Sequence, residues 1–139
     1  MEIYHSDIFF KTTSETDIID ITPQVTEVLR NSGLREGVAF LFVSGSTAAL
    51  TTIEYESGVV NDLIEIIEKI VPRDIPYQHN LRWGDGNGYS HVRASILGPS
   101  LNIPVVNRKL LIGSWQQIVL LDFDNKPRTR GVVVQIIGT

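Results

Sequence analysis

Apolar positions along this chain follow two periods, and the change from one to the other outlines its elements. Ile3, Ile8, Phe9 and Phe10 stand among polar neighbours over residues 3–13, which predicts an opening strand. Thr22-Pro23 then offers an N-cap and a first-turn proline, and Val25, Val28 and Leu29 recur at helical spacing until Gly33 stops them. Residues 38–43 form an apolar run too short for an ordinary helix, and Thr51-Thr52-Ile53-Glu54-Tyr55 is β-rich, so two strands flank Ser44-Gly45-Ser46-Thr47. Val59, Val60, Leu63, Ile64, Ile66, Ile67 and Ile70 form a wide apolar stripe over residues 57–70, with Asp62, Glu65, Glu68 and Lys69 opposite. This predicts a helix ended by Pro72, its isoleucines in the core.

Residues 75–88 have no periodicity and read as a long functional loop. Residues 89–97 fit a short helix or a strand; Ser90 as a cap, with Val92, Ile96 and Leu97 on one side, favours the helix. Everything after Pro104 reads as β: Val105-Val106, Leu110-Leu111-Ile112, then residues 115–123 and 129–137. Turns fall at Asn107-Arg108-Lys109 and at Asp124-Asn125-Lys126-Pro127, the second carrying a hairpin signal. Strands predominate without regular βαβ alternation, so the expected class is α+β, a two-sheet sandwich-like core with helices packed outside.

The 139 residues suffice for one domain, 1–139. With 42% hydrophobic and 20% charged residues the chain reads as a globular protein, with no membrane partner, and the acidic, unbasic start suggests a cytoplasmic one. A net charge of −4 argues against a nucleic-acid partner, which calls for concentrated Lys and Arg. Arg82, Arg93, Arg108, Arg128 and Arg130 nevertheless all lie in the C-terminal half, an asymmetry suited to one small anionic ligand. The absence of cysteine removes disulfides, thiolate zinc sites and thiol nucleophiles. Any metal would have to use His, Asp or Glu.

The densest polar convergence is Gly84-Asp85-Gly86-Asn87-Gly88-Tyr89-Ser90-His91, where glycines leave main-chain N–H groups open beside Asp85, Asn87 and His91. Its spacing matches neither a dinucleotide fingerprint nor a Walker loop, and Ile96 stands where a calcium loop needs a closing Glu. Ser44-Gly45-Ser46 lacks the second glycine of a nucleophile elbow. The Ser44 to Thr47 turn is either an ordinary hairpin or a cradle for a phosphate. His79 and His91 bracket the polar loop and can converge on a metal or on a proton, while His5 has no polar company. Glu54, in an apolar strand, calls for solvent or for a charged partner such as Arg93 or a histidine.

Taken in order, Gly45-Ser46-Thr47-Ala48-Ala49-Leu50-Thr51, Ile53-Glu54, Tyr77-Gln78-His79-Asn80, Asn87-Gly88-Tyr89-Ser90-His91, Leu97-Gly98-Pro99-Ser100, Ile103-Pro104-Val105, Gly113-Ser114-Trp115-Gln116-Gln117-Ile118 and Arg128-Thr129-Arg130 together resemble the YjbQ-like family, described as secondary thiamine phosphate synthases. The resemblance spans nearly the whole chain. It implies a two-sheet α+β sandwich, assembly as a homotrimer about a three-fold axis, and a pocket at subunit junctions gathering Ser46, Thr47, Glu54, His79, Asn87, His91, Trp115, Gln116, Arg128 and Arg130. The chain departs from the pattern at Gly45 and Tyr89, where many members carry histidine, and at Asp124-Asn125-Lys126-Pro127, which replaces a shorter Asp-Gly-Pro.

The implied activity joins hydroxymethylpyrimidine diphosphate to thiazole phosphate and releases pyrophosphate, which calls for cations and N–H donors around the leaving group. On this expectation Arg128, Arg130, Ser46 and Thr47 hold phosphates, His79 and His91 transfer a proton or bind a metal, and Glu54 orients a histidine. Mg²⁺ would come with the diphosphate, or Zn²⁺ with the imidazoles. Trp115 would wall a heteroaromatic ring or sit in the core. The alternative is a non-catalytic trimer that binds an anionic metabolite or a metal.

Overall fold

Two antiparallel sheets face each other across the main core, and nearly all of the β-rich runs enter one or the other. The computed structural model describes residues 1–14 and 16–139. Within them, in chain order, are β1 (Glu2–Lys11), β2 (Asp17–Asp20), α1 (Thr22–Ser32), β3 (Gly37–Val43), β4 (Ala48–Ile53), α2 (Ser57–Ile70), α3 (Gln78–Trp83), α4 (Gly88–Leu97), β5 (Ser100–Val106), β6 (Lys109–Leu110), β7 (Gln117–Asp122) and β8 (Thr129–Gly138). The larger sheet has the order β1-β8-β3-β5-β6 and the smaller β2-β7-β4. This is the expected α+β class. No helix among the described residues is long and apolar enough to cross a membrane.

The period of two in a strand decides which layer each side chain joins. On β3, Ala39, Leu41 and Val43 point into the main core while Phe40 and Phe42 stay exposed. Val132, Val134 and Ile136 of β8 meet the same core, as do Val25, Val28 and Leu29 of α1. The smaller sheet is covered on both sides: Ile118 and Leu120 of β7 face the larger sheet, whereas Val119 and Leu121 face a second cluster with Ile67 of α2 and Ala94 of α4. A strand buried on both faces needs a continuous apolar run, which Ile118-Val119-Leu120-Leu121 supplies.

Several expectations change. The turn at residues 124–127 is no hairpin: β7 already pairs with β2 and β4, and β8 with β1 and β3, so the chain crosses there from one sheet to the other. The Ser44 to Thr47 turn likewise joins different sheets. Thr22 is the first residue of α1 and leaves the capping position to Ile21; its hydroxyl accepts the Ile118 N–H at 2.8 Å and ties the helix to β7. Ser90 lies inside α4, its hydroxyl donating to the Asn87 carbonyl at 2.6 Å, and Asn87 takes the N-cap position. The aperiodic segment 75–88 holds the short α3, and the acid-flanked β2 is too brief to carry a period. The strand expected after Pro104 begins at Ser100, and β6 is cut to Lys109–Leu110. On α2 only Ile67 is buried; Ile66 and Ile70 are 49% and 66% exposed, because the apolar stripe is wider than the sheet surface beneath it.

The crossing from β7 to β8 is fastened by charge. Asp122, last in β7, accepts Arg130 Nε at Oδ2 and Arg130 Nη2 at Oδ1, both at 2.8 Å, and both side chains are buried. Thr12 adds a hydroxyl donor to Asp122 Oδ2 at 2.7 Å. Breaking such a pair leaves one charge buried and uncompensated, whereas replacing both members by apolar groups does not. Asp122→Asn is therefore expected to lower unfolding stability by about 3–5 kcal/mol, and the Asp122→Leu/Arg130→Met double variant by clearly less than the single one. Denaturant unfolding of the wild type and the two variants measures this, and a double variant that loses as much as Asp122→Asn or more would contradict the pairing.

Candidate functional site

Around that crossing, charged and hydroxyl groups form one continuous network. Arg130 Nη2 donates to Thr47 Oγ1, which donates on to Asp124 Oδ2 at 3.1 Å. Asp124 also accepts Arg128 Nε at 2.8 Å, the Asn125 N–H at 2.8 Å and Asn87 Nδ2 at 3.1 Å. Burial alone would raise both carboxyl groups. Hydrogen bonds outweigh it, chiefly from Arg130 and Thr12 at Asp122 and from Asn87, Asn125 and Arg128 at Asp124, and hold both below the ordinary carboxylate value. Both aspartates are thus charged at neutral pH.

A second local device brings the histidines together. A side chain at Gly88 would put its Cβ 2.7 Å from Tyr77 Cβ and 3.0 Å from Asn80 Oδ1, so only glycine lets the start of α4 close on α3, where the Gly88 N–H donates to Asn80 Oδ1 at 2.9 Å. His79, second in α3, then meets His91, fourth in α4, with ring centroids 4.4 Å apart and planes tilted by 40°. Asp85 lies beside the pair, its Oδ1 3.4 Å from His79 Nδ1. Burial, and then the charge of His79, push His91 below the usual histidine value, against the weaker opposite pull of Asp124 and Asp85. His91 is therefore neutral at neutral pH.

The network and the histidine pair line one open recess of about 390 Å³. Of the residues singled out from the sequence, Ser46, Thr47, His79, Asn87, His91, Arg128 and Arg130 all reach it, although they come from separate segments of the chain. The guanidinium of Arg130 is buried against Asp122, while Arg128, 38% exposed, is the accessible cation. Gly45 adds room, since a Cβ there would stand 2.7 Å from Arg130 Nη1. Asn87 lines the recess, and its Oδ1 is buried with no hydrogen-bond partner among the described residues. With two guanidiniums facing two aspartates, the recess offers directed donors and little net positive charge.

Glu54, Trp115 and Gln116 do not reach this recess. Ala48 pairs with Asp122 at one end of the smaller sheet and Ile53 with Gln117 at the other. Five residues of strand therefore set Glu54 and the Gly113 to Gln116 turn roughly 17 Å away within one chain. Glu54 is exposed just beyond β4, and its expected partner Arg93 instead pairs with Glu68. Trp115 is 76% exposed, hence not a core residue, and Gln116 Nε2 donates to Thr52 Oγ1 at 2.9 Å. His5 does have company, with Asp7 Oδ1 3.1 Å from its Nε2.

Sequence reasoning left Trp83 and Asp124 out of the site. Asp124 reads as a turn residue until the alternation Asp122, Asp124, Arg128, Arg130 is seen as two ion pairs across one crossing. Among the described residues no three His, Asp or Glu side chains gather closely enough to hold a metal ion. Two imidazoles alone fall short of the three protein ligands that a catalytic zinc needs.

A family model described as UPF0047 protein YjbQ-like matches residues 6–139. A UPF0047 protein of Methanothermobacter thermautotrophicus is 38% identical over 99% of this chain and 94% of its own, and the UPF0047 protein YugU of Bacillus subtilis is 32% identical over 92% and 95%. Among solved structures, a YbjQ-like protein of unknown function from Sulfolobus solfataricus superposes with a TM-score of 0.95 at 33% identity, covering 99% of both chains. A hypothetical protein from Aeropyrum pernix gives 0.86 at 31% identity over 96% of this chain and 99% of its own.

Because the charge of His79 helps to hold His91 neutral, a His79→Gln variant should move the His91 titration up towards the ordinary value of 6.5. Long-range ¹H–¹⁵N correlation spectra across a pH series follow the ring directly. An unmoved midpoint would mean that the rings are not electrostatically coupled.

Proposed function

Since this chain belongs to the YjbQ-like UPF0047 family, we propose that its recess binds a phosphorylated small molecule and expels its diphosphate, in a condensation resembling thiamine phosphate synthesis. The observation that carries this reading is the contact of His79 with His91 in the same recess as Arg128 and Arg130. In such a reaction the thiazole nitrogen attacks the methylene carbon of the pyrimidine, a C–N bond forms, and the C–O bond breaks with its electron pair leaving on diphosphate. The attacking nitrogen carries no proton, so no base is needed there. Charge builds on the departing oxygen, and donors must meet it.

Arg128 and the Ser46 hydroxyl supply those donors, Thr47 holds Arg130 and Asp124 behind them, and the positive end of the α4 dipole at Asn87 adds to the field. Two touching imidazoles repel when both are charged, so the pair takes up a first proton more readily than a second, and that first proton is available to the leaving oxygen. Mg²⁺ would accompany the diphosphate, because this ion keeps several waters and takes few protein ligands.

Assembly belongs to the same reading. A homotrimer, which the resemblance implies, would let a neighbouring copy bring Glu54, Trp115 and Gln116 to the recess that one chain leaves roughly 17 Å from them. The outward face of the larger sheet, with Phe40 and Phe42 exposed, is apolar surface for such a contact. The pairing of both arginines with aspartates supports a second reading, in which the recess holds an anionic metabolite without turning it over.

With both substrates and Mg²⁺, the wild type is expected to release pyrophosphate and form thiamine phosphate, and His91→Ala and Arg128→Ala to slow this by about 10²-fold each. Unchanged turnover in both variants would remove these residues from the reaction. Pyrophosphate binding without turnover in the wild type would select the second reading. Light scattering is expected to give three chain masses in solution, and Phe40→Glu to give one; a monomeric wild type would end the assembly proposal.

A further inference from the structure

One atom of the histidine pair is left over. His79 Nδ1 is buried and has no hydrogen-bond partner among the described residues. A buried ring nitrogen in that state is costly, and a carboxylate is the acceptor that would satisfy its N–H. Asp85 Oδ1 stands 3.4 Å away, longer than a hydrogen bond, but the Asp85 side chain is half-exposed and has room to close the gap. The resemblance would have Glu54 orient a histidine, yet Glu54 lies at the far end of the smaller sheet. Asp85 is the carboxylate in place for that part.

Asp85 sits between Gly84 and Gly86, both in the left-handed region at φ of 71° and 70°, in the turn that follows α3. Two glycines give such a turn little stiffness of its own. It is held from outside: Asn125 Nδ2 donates to the Asp85 carbonyl at 2.9 Å, and the Asn125 N–H donates to Asp124 Oδ1 at 2.8 Å. A carbonyl can only accept, which fixes the orientation of the Asn125 amide. The turn bearing Asp85 is thereby moored to the crossing between the sheets.

From this geometry we propose that Asp85 is the positioning residue of the histidine pair, keeping a proton on His79 Nδ1, and that Asn125 holds Asp85 to that task. With Nδ1 protonated, Nε2 is the nitrogen of neutral His79 left to accept, so protons enter and leave the ring there. The inference rests on the proposed condensation only for the use made of that proton. Where the proton sits is a property of the protein without ligand.

Long-range ¹H–¹⁵N spectra of the full chain at alkaline pH, with His79 identified by comparison with His79→Gln, report which nitrogen of the neutral ring is protonated. The wild type is expected mainly in the Nδ1–H form, and Asp85→Ala mainly in the Nε2–H form that histidine prefers in water. Asn125→Ala should shift the population the same way by a smaller amount, and adding it to Asp85→Ala should shift nothing further. Asp85→Glu, whose longer side chain still reaches the ring, should keep Nδ1–H in the majority. With both substrates and Mg²⁺, Asp85→Ala is expected to slow pyrophosphate release by about tenfold or more. Melting curves check that each variant is folded. An unaltered tautomer in Asp85→Ala overturns the role of Asp85, and a wild-type tautomer in Asn125→Ala, or a further shift in the double variant, overturns the mooring. A wild type without turnover, whose Nδ1–H form is nevertheless lost in Asp85→Ala, ends the condensation and leaves the positioning in place.

Discussion

The buried pair of Asp122 and Arg130 is the constraint on which the rest of the molecule depends. It joins the last residue of a strand in the smaller sheet to a strand in the middle of the larger one, at the point where the chain leaves one sheet for the other. A charge here is tolerable only with its partner and with its remaining lone pairs satisfied, and Thr12 and the Asp124 N–H supply those bonds. Asp124, two residues on, repeats the arrangement with Arg128, Asn87 and Thr47. Three distant segments, at Thr12, Thr47 and Asn87, are thereby held to one crossing. The apolar layers on either side supply the driving force for folding, but this network decides how they register.

The same network reaches the histidines through one side chain. Asn87 donates to Asp124 and also stands at the N-cap of α4, so the helix carrying His91 begins from a fixed anchor. The close approach at Gly88 then sets α3 against α4 and brings His79 onto His91. Neither imidazole is held by the short helix alone. Their contact results from a polar anchor at one end and a missing side chain at the other, which keeps the pair in place while the recess beside it stays open.

Much of this was legible in the sequence, and the failures have physical causes. Long runs with one clear period, such as β1, α1, α2 and β8, are readable because every residue repeats the same message. The convergence of residues 46–47, 79, 87, 91, 128 and 130 was expected from the family resemblance alone, because no local period or propensity says which distant polar groups will meet. What was not legible depends on pairing between distant strands. Asp124-Asn125-Lys126-Pro127 has the chemistry of a hairpin turn, and only the prior engagement of β7 and β8 with other strands prevents one. Glu54 and Trp115 match the resemblance by position, yet they lie at the far end of the smaller sheet, because the order of residues in a motif does not fix their distances in the fold.

The titrating groups of the site separate its chemistry from its scaffold. His91 has its folded value below 6.5, so its neutral form favours the fold fully above that pH, and this contribution falls away as pH drops through the lower folded value. Asp122 and Asp124 are held below the ordinary 3.8, so their contribution is complete above about pH 4 and is lost only as pH falls through their depressed values. The signs agree and the windows differ. On acidification His91 gains its proton while both aspartates still hold the crossing together, so the charge of the recess changes inside an intact frame. The proposed condensation, in which a proton passes to a departing anion, would need this order, because an imidazole can act repeatedly only if the carboxylates that position it keep their own charge throughout.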